Sequence, residues 1–410
     1  RSPLVEYPTP LIGREVEFNA LKRCVKDVLS GRGRIVMLTG DKGLGKSFLV
    51  NELRQYFVHR GALLTMAQAG GEAPSRPASS LTWLRGRCRS YHQGWPYSMW
   101  IDLLTDWLIQ CGAHRAQSKE ESRDALRREC RALWSDDEFV EHYPYIATLL
   151  SFPLEDEFNE RVRHLDAEGL RRRYFIAIHS WIAAMSRRGP LALVFADMQW
   201  ADESSLDLLK YCLPLCDSEM LLMLLVFRTE RDMPVWKLAQ HVELEYPHRL
   251  THIELTPLSD AQSAELIAAL IGPDTLPPET RDLIVKNAAG NPYYIQELIH
   301  SLIIGGVLVC DAQADRWRVT RTVTTLDLPD NLQRLLIARI DRLSPDERFV
   351  LQVASVIGSV FWSNVVRAVI GEAPQLTRHL TALQRAQLIQ ETGRTPELGM
   401  QYLFRSPLVR

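Results

Sequence analysis

The chain has 410 residues, room for two to four domains at roughly 150 residues each, so a single small module is excluded. Apolar residues make up 46% and charged residues 24%, which excludes a chain too polar to bury a core. Lys plus Arg (48) nearly cancels Asp plus Glu (50), and a net charge of -2 excludes adhesion to nucleic acid or anionic lipid by bulk charge, though not a local basic patch.

The longest apolar run, Met220 to Phe227, falls far short of the ~20 residues of a membrane span, and no charged-then-apolar signal segment opens the chain. The seven cysteines form no C-x-x-C pair, and Cys212 and Cys216 lack the partners of a zinc site. Reduced thiols in a cytoplasmic protein are expected, with no membrane partner. Starting at Arg1 and stopping at Arg410 after a strand-like run, the chain reads as the middle section of a longer protein.

In chain order, a Pro-rich linker is followed by helical spacing over Glu15 to Leu29 and an apolar strand over Arg34 to Thr39. A glycine cluster comes next, then a helix from Lys46 to Val58. Gly70 to Ser80 reads as a loop. Helical periodicity returns over Met99 to Ile109, Arg123 to Leu133 and Leu170 to Arg187, with buried strands at Leu191 to Ala196 and Met220 to Phe227. Apolar strands alternating with amphipathic helices predict a parallel sheet covered on both faces. Beyond Leu255 helices are expected over Ser259 to Leu270, Pro278 to Ala288 and Pro292 to Ile304, then a small hairpin from Val307 to Val319. Helices over Asn331 to Arg342, Pro345 to Ile357, Trp362 to Val369 and Gln375 to Leu388, closed by a strand pair, describe a winged helix. The expected division is a linker over 1–12, an α/β nucleotide-binding domain over 13–255, a helical lid with a hairpin over 256–326, and a winged helix over 327–410.

The sharpest motif is Gly40-Asp-Lys-Gly-Leu-Gly-Lys-Ser47, which fits G-x-x-x-x-G-K-[S/T] between a strand and a helix. Glycines let the backbone curl so that successive N–H groups face one anion, and the helix behind adds its dipole. Lys46 is expected to reach the β- and γ-phosphates, and Ser47 to ligate Mg²⁺. Such a loop needs an acid at the end of a neighbouring strand, and Leu191-Ala-Leu-Val-Phe-Ala-Asp197 supplies Asp197, a second metal ligand and a polariser of the attacking water. Arg228, ending the run Leu225-Val-Phe-Arg228, either senses the γ-phosphate or is an exposed strand-end cation; both readings stand on sequence alone.

Leu11-Ile-Gly-Arg-Glu15, the phosphate loop, Ala196-Asp-Met-Gln-Trp-Ala-Asp202, Phe227-Arg228, Gly290-Asn-Pro292 and Phe404-Arg-Ser-Pro-Leu-Val-Arg410 occur in that order. Together they resemble the signal-transduction ATPases with numerous domains (STAND), relatives of the AAA+ ATPases. The branch attached to bacterial class III adenylyl cyclases, soluble adenylyl cyclase and large transcriptional regulators is the nearest match. The resemblance covers nearly the whole chain. It implies a P-loop fold with lid and winged helix, ATP or ADP with Mg²⁺ as cofactors, self-assembly into a homo-oligomer in the ATP state, and effector and sensor domains outside these residues. It places Ile12, Gly13 and Arg14 at the adenine, and Gly40, Lys42, Gly43, Leu44, Gly45, Lys46, Ser47 and Phe48 around the phosphates. Pro292 packs on the nucleotide from the lid, Arg228 is the sensor arginine, and Lys46, Asp197 and Arg228 form the catalytic set. Two departures stand out. Ala196 occupies one of two positions that carry acids in relatives, which predicts slow or absent hydrolysis with ATP binding intact. Ser406 replaces a frequent His that contacts nucleotide.

Asp202 is expected to cap the helix after it. Arg171 to Arg173 read as a solvated helix face. Cys88, His92 and Cys111 are too irregularly placed for a metal, and one of Tyr293 and Tyr294 belongs to the core. The alternative function is a DNA-binding AAA+ ATPase, whose recognition helix, Gln375 to Leu388, offers only Arg378, His379 and Arg385. A third is a scaffold that holds ATP for stability alone.

Overall fold

The computed structural model describes residues 11–68, 81–89, 95–112, 118–273, 275–311, 316–321, 332–371, 375–395, 398–405 and 409. The expected loop over Gly70 to Ser80, residues 1–10 of the linker, His92 and Ser406 lie outside them. The chain divides into two compact units, Arg14–Thr256, and Arg1–Gly13 with Pro257–Arg410.

The unit Arg14–Thr256 contains α1 (Glu15–Leu29), β1 (Arg34–Gly40), α2 (Lys46–Gln68), β2 (Thr82–Arg87), α3 (Ser98–Gln110), α4 (Lys119–Leu133), α5 (Asp136–Leu149), α6 (Asp156–Arg163) and α7 (Ala167–Arg187). It continues with β3 (Leu191–Ala196), α8 (Glu203–Cys212), α9 (Leu215–Ser218), β4 (Leu221–Val226), α10 (Val235–Glu245) and β5 (Leu250–Leu255). The strands form one sheet in the order β2-β3-β4-β1-β5, every neighbouring pair parallel. Side chains alternate across a strand, so register fixes the faces. One row runs Gly86, Phe195, Leu225, Met37, His252; the next runs Arg85, Val194, Leu224, Val36, Thr251. Met37, Phe195 and Leu225 join the large apolar cluster with Trp100 and Leu103 of α3 and Ile178 and Trp181 of α7. The buried residues of α1 and α2, including Val25, Leu49 and Leu53, stand outside that cluster and cover the opposite face. There Cys24 of α1 donates to the Thr251 hydroxyl at 3.4 Å.

β2 is an edge strand, and α3 seals it. Gly86 is required because a Cβ there would stand 2.4 Å from the Met99 carbonyl of α3. One face of α3 then presents Asp102, Asp106 and Gln110 at four-residue spacing. Asp102 accepts from the Arg87 N–H (2.8 Å), Asp106 from the Arg85 N–H (2.9 Å), and Gln110 donates to the Trp83 carbonyl (2.9 Å). The backbone groups that would otherwise template another strand are thereby satisfied.

The second unit holds α11 (Asp260–Ile271), α12 (Pro278–Ala288), α13 (Pro292–Ile304), β6 (Leu308–Asp311), β7 (Arg316–Val319), α14 (Leu332–Asp341), α15 (Pro345–Ile357), β8 (Val360–Trp362), α16 (Ser363–Ile370), α17 (Leu376–Arg385), β9 (Ile389–Thr395) and β10 (Gly399–Phe404). Capping boxes at Ser259 and Ser344 start α11 and α15, each side-chain cap contributing about 1 kcal/mol. β6 and β7 pair as an antiparallel hairpin, and β8-β10-β9 form an antiparallel sheet with α15, α16 and α17, the winged-helix arrangement. One apolar cluster joins Leu298 and Ile299 of α13 to Val350, Phe361 and Leu380. The fold is therefore α/β with a parallel sheet, followed by a helical segment and a winged helix.

Candidate phosphate-binding site

The loop between β1 and α2 leaves the carboxyl end of a central strand, where ligands of parallel sheets gather. Gly40, Gly43 and Gly45 all have positive φ. At Gly45 an added Cβ would meet nothing within 4 Å, so φ of +96° alone demands glycine; at Gly40 it would also press on the Leu255 carbonyl at 2.9 Å. Lys46 opens α2 and turns back, its ammonium donating to the carbonyls of Gly40 (2.5 Å) and Asp41 (2.9 Å). Burial pushes the Lys46 ammonium down to about 8, with the Arg228 charge next in effect and Asp197, Asp41 and Glu230 opposing it. Lys42 is also pushed down to about 8, by burial and then by Arg228. Three cations thus crowd one corner of the loop.

Arg228 follows β4; it donates to Glu230 at 3.3 Å and lies 5.8 Å from the ring centre of Trp200. The next residue, Thr229, donates its hydroxyl to the Asp41 carboxylate, tying the loop after β4 to the phosphate loop. Arg14, at the start of α1, is buried. Its guanidinium donates to the carbonyls of Thr256 (2.6 Å) and Leu44 (3.4 Å) and to Glu17 (3.4 Å). Arg14 therefore shapes the phosphate loop from behind.

Asp197 follows β3 in the left-handed region, φ 58°, and accepts from the Arg87 Nε of β2 at 2.8 Å. Sequence reasoning missed Arg87, because β2 was not predicted. The signal was the alternation of Trp83, Arg85, Arg87 and Arg89, a period-two pattern. Asp202 caps α8, as expected, and does more. Buried, it accepts from the Ser205 N–H and hydroxyl (2.8 and 2.6 Å), the Ser98 N–H and hydroxyl (both 3.2 Å) and the Tyr97 N–H (3.0 Å). One carboxylate joins the starts of α3 and α8.

Arg14, Gly40 to Phe48, Asp197 and Arg228 thus lie in one unit, and Ile12, Gly13 and Pro292 in the other. There Gly13 and Gly290 both abut Leu258: a Cβ at Gly13 would meet its Cδ2 at 2.9 Å, and one at Gly290 its carbonyl at 2.3 Å. Pro292 begins α13 behind the cap Asn291, Tyr294 is core, and Tyr293 is half-buried. Among the described residues no group of three or more His, Cys, Asp or Glu is placed to hold a metal ion. For Mg²⁺ beside a nucleotide, Ser47 offers a hydroxyl. Arg87 already holds the Oδ2 of Asp197, leaving its Oδ1, and the Ala196 side chain offers no oxygen; this sparse donor set does not fit a tightly held ion.

A family model described as AAA ATPase domain matches residues 10–226, and one described as a domain of unknown function (DUF8739) matches residues 259–313. An uncharacterized protein of Rhizobium meliloti (strain 1021) is 26% identical over 200 residues, 49% of this chain and 17% of that one, so the match covers about a sixth of the relative. Among solved structures, the Aeropyrum pernix ORC1 protein in complex with DNA aligns over 98% of this chain and 92% of that one, at 13% identity and TM-score 0.43. Drosophila ORC bound to DNA aligns over 98% and 87%, at 15% identity and TM-score 0.41. No helix among the described residues is long and apolar enough to cross a membrane.

Proposed function

This chain belongs to the AAA ATPase domain family, and on that premise we propose that it is a nucleotide-controlled switch of the signal-transduction type. It binds ATP or ADP on Gly40–Ser47, hydrolyses ATP slowly, and uses the difference between the two to control self-assembly and an attached effector. The observation that carries the reading is the cluster of Lys42, Lys46 and Arg228 around a loop already curled for an anion. Mutual repulsion among these cations is relieved when a polyphosphate arrives. Lys46 exchanges two carbonyls for phosphate oxygens, and Arg228 meets charge on the terminal phosphate. Asp197 orients the attacking water. Arg87 holds one of its oxygens, and Ala196 supplies no carboxylate beside it, so turnover is slow.

Arg14 ties the loop to the end of its own unit. One guanidinium holds the Leu44 carbonyl of the phosphate loop and the carbonyl of Thr256, the last residue of the first unit. Movement of the loop on nucleotide exchange reaches Thr256 through that side chain.

Titration calorimetry with ATP, ADP and GTP, paired with light scattering, tests the reading. Adenine nucleotides are expected to bind, ATP to promote assembly over ADP, and Lys46→Ala to weaken binding by about 2 kcal/mol or more, thirtyfold. Absence of purine nucleotide binding, or assembly indifferent to which nucleotide is present, refutes it. A second reading, DNA binding through the winged helix, is favoured by exposed Arg378 and Arg385 on α17, a helix without acids. Tight, salt-dependent DNA binding at physiological ionic strength, lost in Arg378→Ala with Arg385→Ala, would promote it.

A further inference from the structure

The register of β2 on β3 pairs Arg87 with Ala196 and Arg85 with Val194. Val194 shares its row with Leu224 and Val36, on the face covered by α1 and α2, so Ala196 and Arg87 face that side as well. A carboxylate at position 196 would project toward the helix that begins Lys46-Ser47; this chain presents a methyl group there. The remaining acid, Asp197, sits one residue on in a left-handed turn, its carboxylate 2.8 Å from the Arg87 Nε. On the phosphate side stand Lys42, Lys46 and Arg228.

We propose that this pocket takes its nucleotide without a divalent ion, its phosphate charge being met by Lys42, Lys46 and Arg228, with Arg87 a positioning residue that holds Asp197 away from metal ligation. The proposal rests on the nucleotide reading above. It follows from competition. A divalent ion beside the phosphates must share Asp197 with Arg87, which already holds its Oδ2, and repels three side-chain cations; Asp41 and Glu230 offset part of that positive charge, but position 196 contributes no carboxylate.

Binding of a fluorescent ATP analogue to the full chain, in Mg²⁺ and in EDTA, tests it. The two affinities are expected to agree within about threefold, or to favour EDTA. Binding in Mg²⁺ that weakens about thirtyfold or more in EDTA overturns the proposal and leaves the nucleotide reading standing. No binding in either medium overturns the nucleotide reading itself, and this proposal with it. Ala196→Asp is expected to make binding about tenfold tighter in Mg²⁺ than in EDTA; indifference to the ion in that variant overturns the role given to Ala196. Arg87→Gln frees Asp197 and should create a bound-Mn²⁺ paramagnetic resonance signal in the presence of ADP, absent from the native chain and from Arg87→Lys. A native chain already showing that signal, or an Arg87→Gln variant without it, overturns the role given to Arg87.

Discussion

Replacing Asp202 separates a structural acid from a catalytic one. Its Oδ1 accepts from the backbone N–H groups of Tyr97 and Ser205, and its Oδ2 from the Ser98 N–H and the hydroxyls of Ser98 and Ser205. In Asp202→Ala three backbone donors lose their acceptor in a buried place. At about 1–3 kcal/mol for each unsatisfied donor, reduced where water can enter, the loss comes to about 4 kcal/mol. Asp202→Asn keeps one acceptor oxygen and loses the charge and the Ser98 N–H bond, for about 2 kcal/mol. Urea unfolding followed by tryptophan fluorescence reads both, because Trp100 donates its indole N–H to the Ser205 carbonyl at 3.1 Å beside the cap. With a slope of about 2–3 kcal/mol per molar urea, the alanine variant should unfold roughly 1.5 M earlier and the asparagine variant about half as much. Nucleotide affinity of the folded asparagine variant should stay unchanged, since all five bonds of Asp202 run to Tyr97, Ser98 and Ser205. A loss below about 1 kcal/mol in Asp202→Ala, or a selective loss of nucleotide binding in Asp202→Asn, would refute the cap as its purpose.

Two further outcomes follow from the same geometry. His300, buried and near Arg339 and Arg405, is lowered from 6.5 to about 4, by burial first and then by those two charges. Stability from its neutrality is complete above about pH 6.5 and is lost as pH falls toward 4, because the unfolded chain takes up a proton that the folded chain refuses. The loss should reach about 2 kcal/mol by pH 5, and the difference in unfolding free energy between pH 7.5 and 5, read by urea titration, should shrink by that amount in His300→Gln. An equal pH dependence in the variant removes His300 from the explanation. In Arg14→Lys, one ammonium cannot span the carbonyls of Leu44 and Thr256, so calorimetric ATP affinity should fall about tenfold; unchanged affinity would show that the phosphate loop keeps its shape unaided.

What sequence revealed and what it hid divide along burial. β1, β3 and β4 are central strands covered on both faces, so they read as unbroken apolar runs and were placed within a residue or two. β2 and β5 are the two edges of the sheet, with mixed burial, and neither was predicted. β8, only three residues long, was missed as well. α5 was hidden by Pro144, which ordinarily ends a helix; the Ser135 capping box and the buried Phe139, Tyr143 and Ile146 hold the helix through it. The phosphate loop and the cap at Asp202 were legible because their chemistry is local. Arg87 and the Thr229–Asp41 bond were not, because they depend on which strands lie side by side.

The phosphate loop is tethered at three points within its own unit: Lys46 to the Gly40 and Asp41 carbonyls, Thr229 to the Asp41 carboxylate, and Arg14 to the Leu44 carbonyl. Each tether shapes the loop before any anion arrives, which lowers the ordering entropy that binding must overcome. The tethers differ in what a nucleotide does to them. The Lys46 bonds must break for its ammonium to reach phosphate, so they compete with the ligand. The Arg14 bond goes to the Leu44 carbonyl and does not use the Lys46 ammonium, so it does not compete with the ligand. Thr229 stands next to Arg228, and any turn of Arg228 toward a terminal phosphate pulls on Asp41. On the proposed reading, a diphosphate would engage Lys46 and leave Arg228 with its present partner, Glu230, while a triphosphate would engage both. On that reading the difference between the two nucleotides lies in the Arg228–Thr229–Asp41 path, and the binding common to both lies at Lys46.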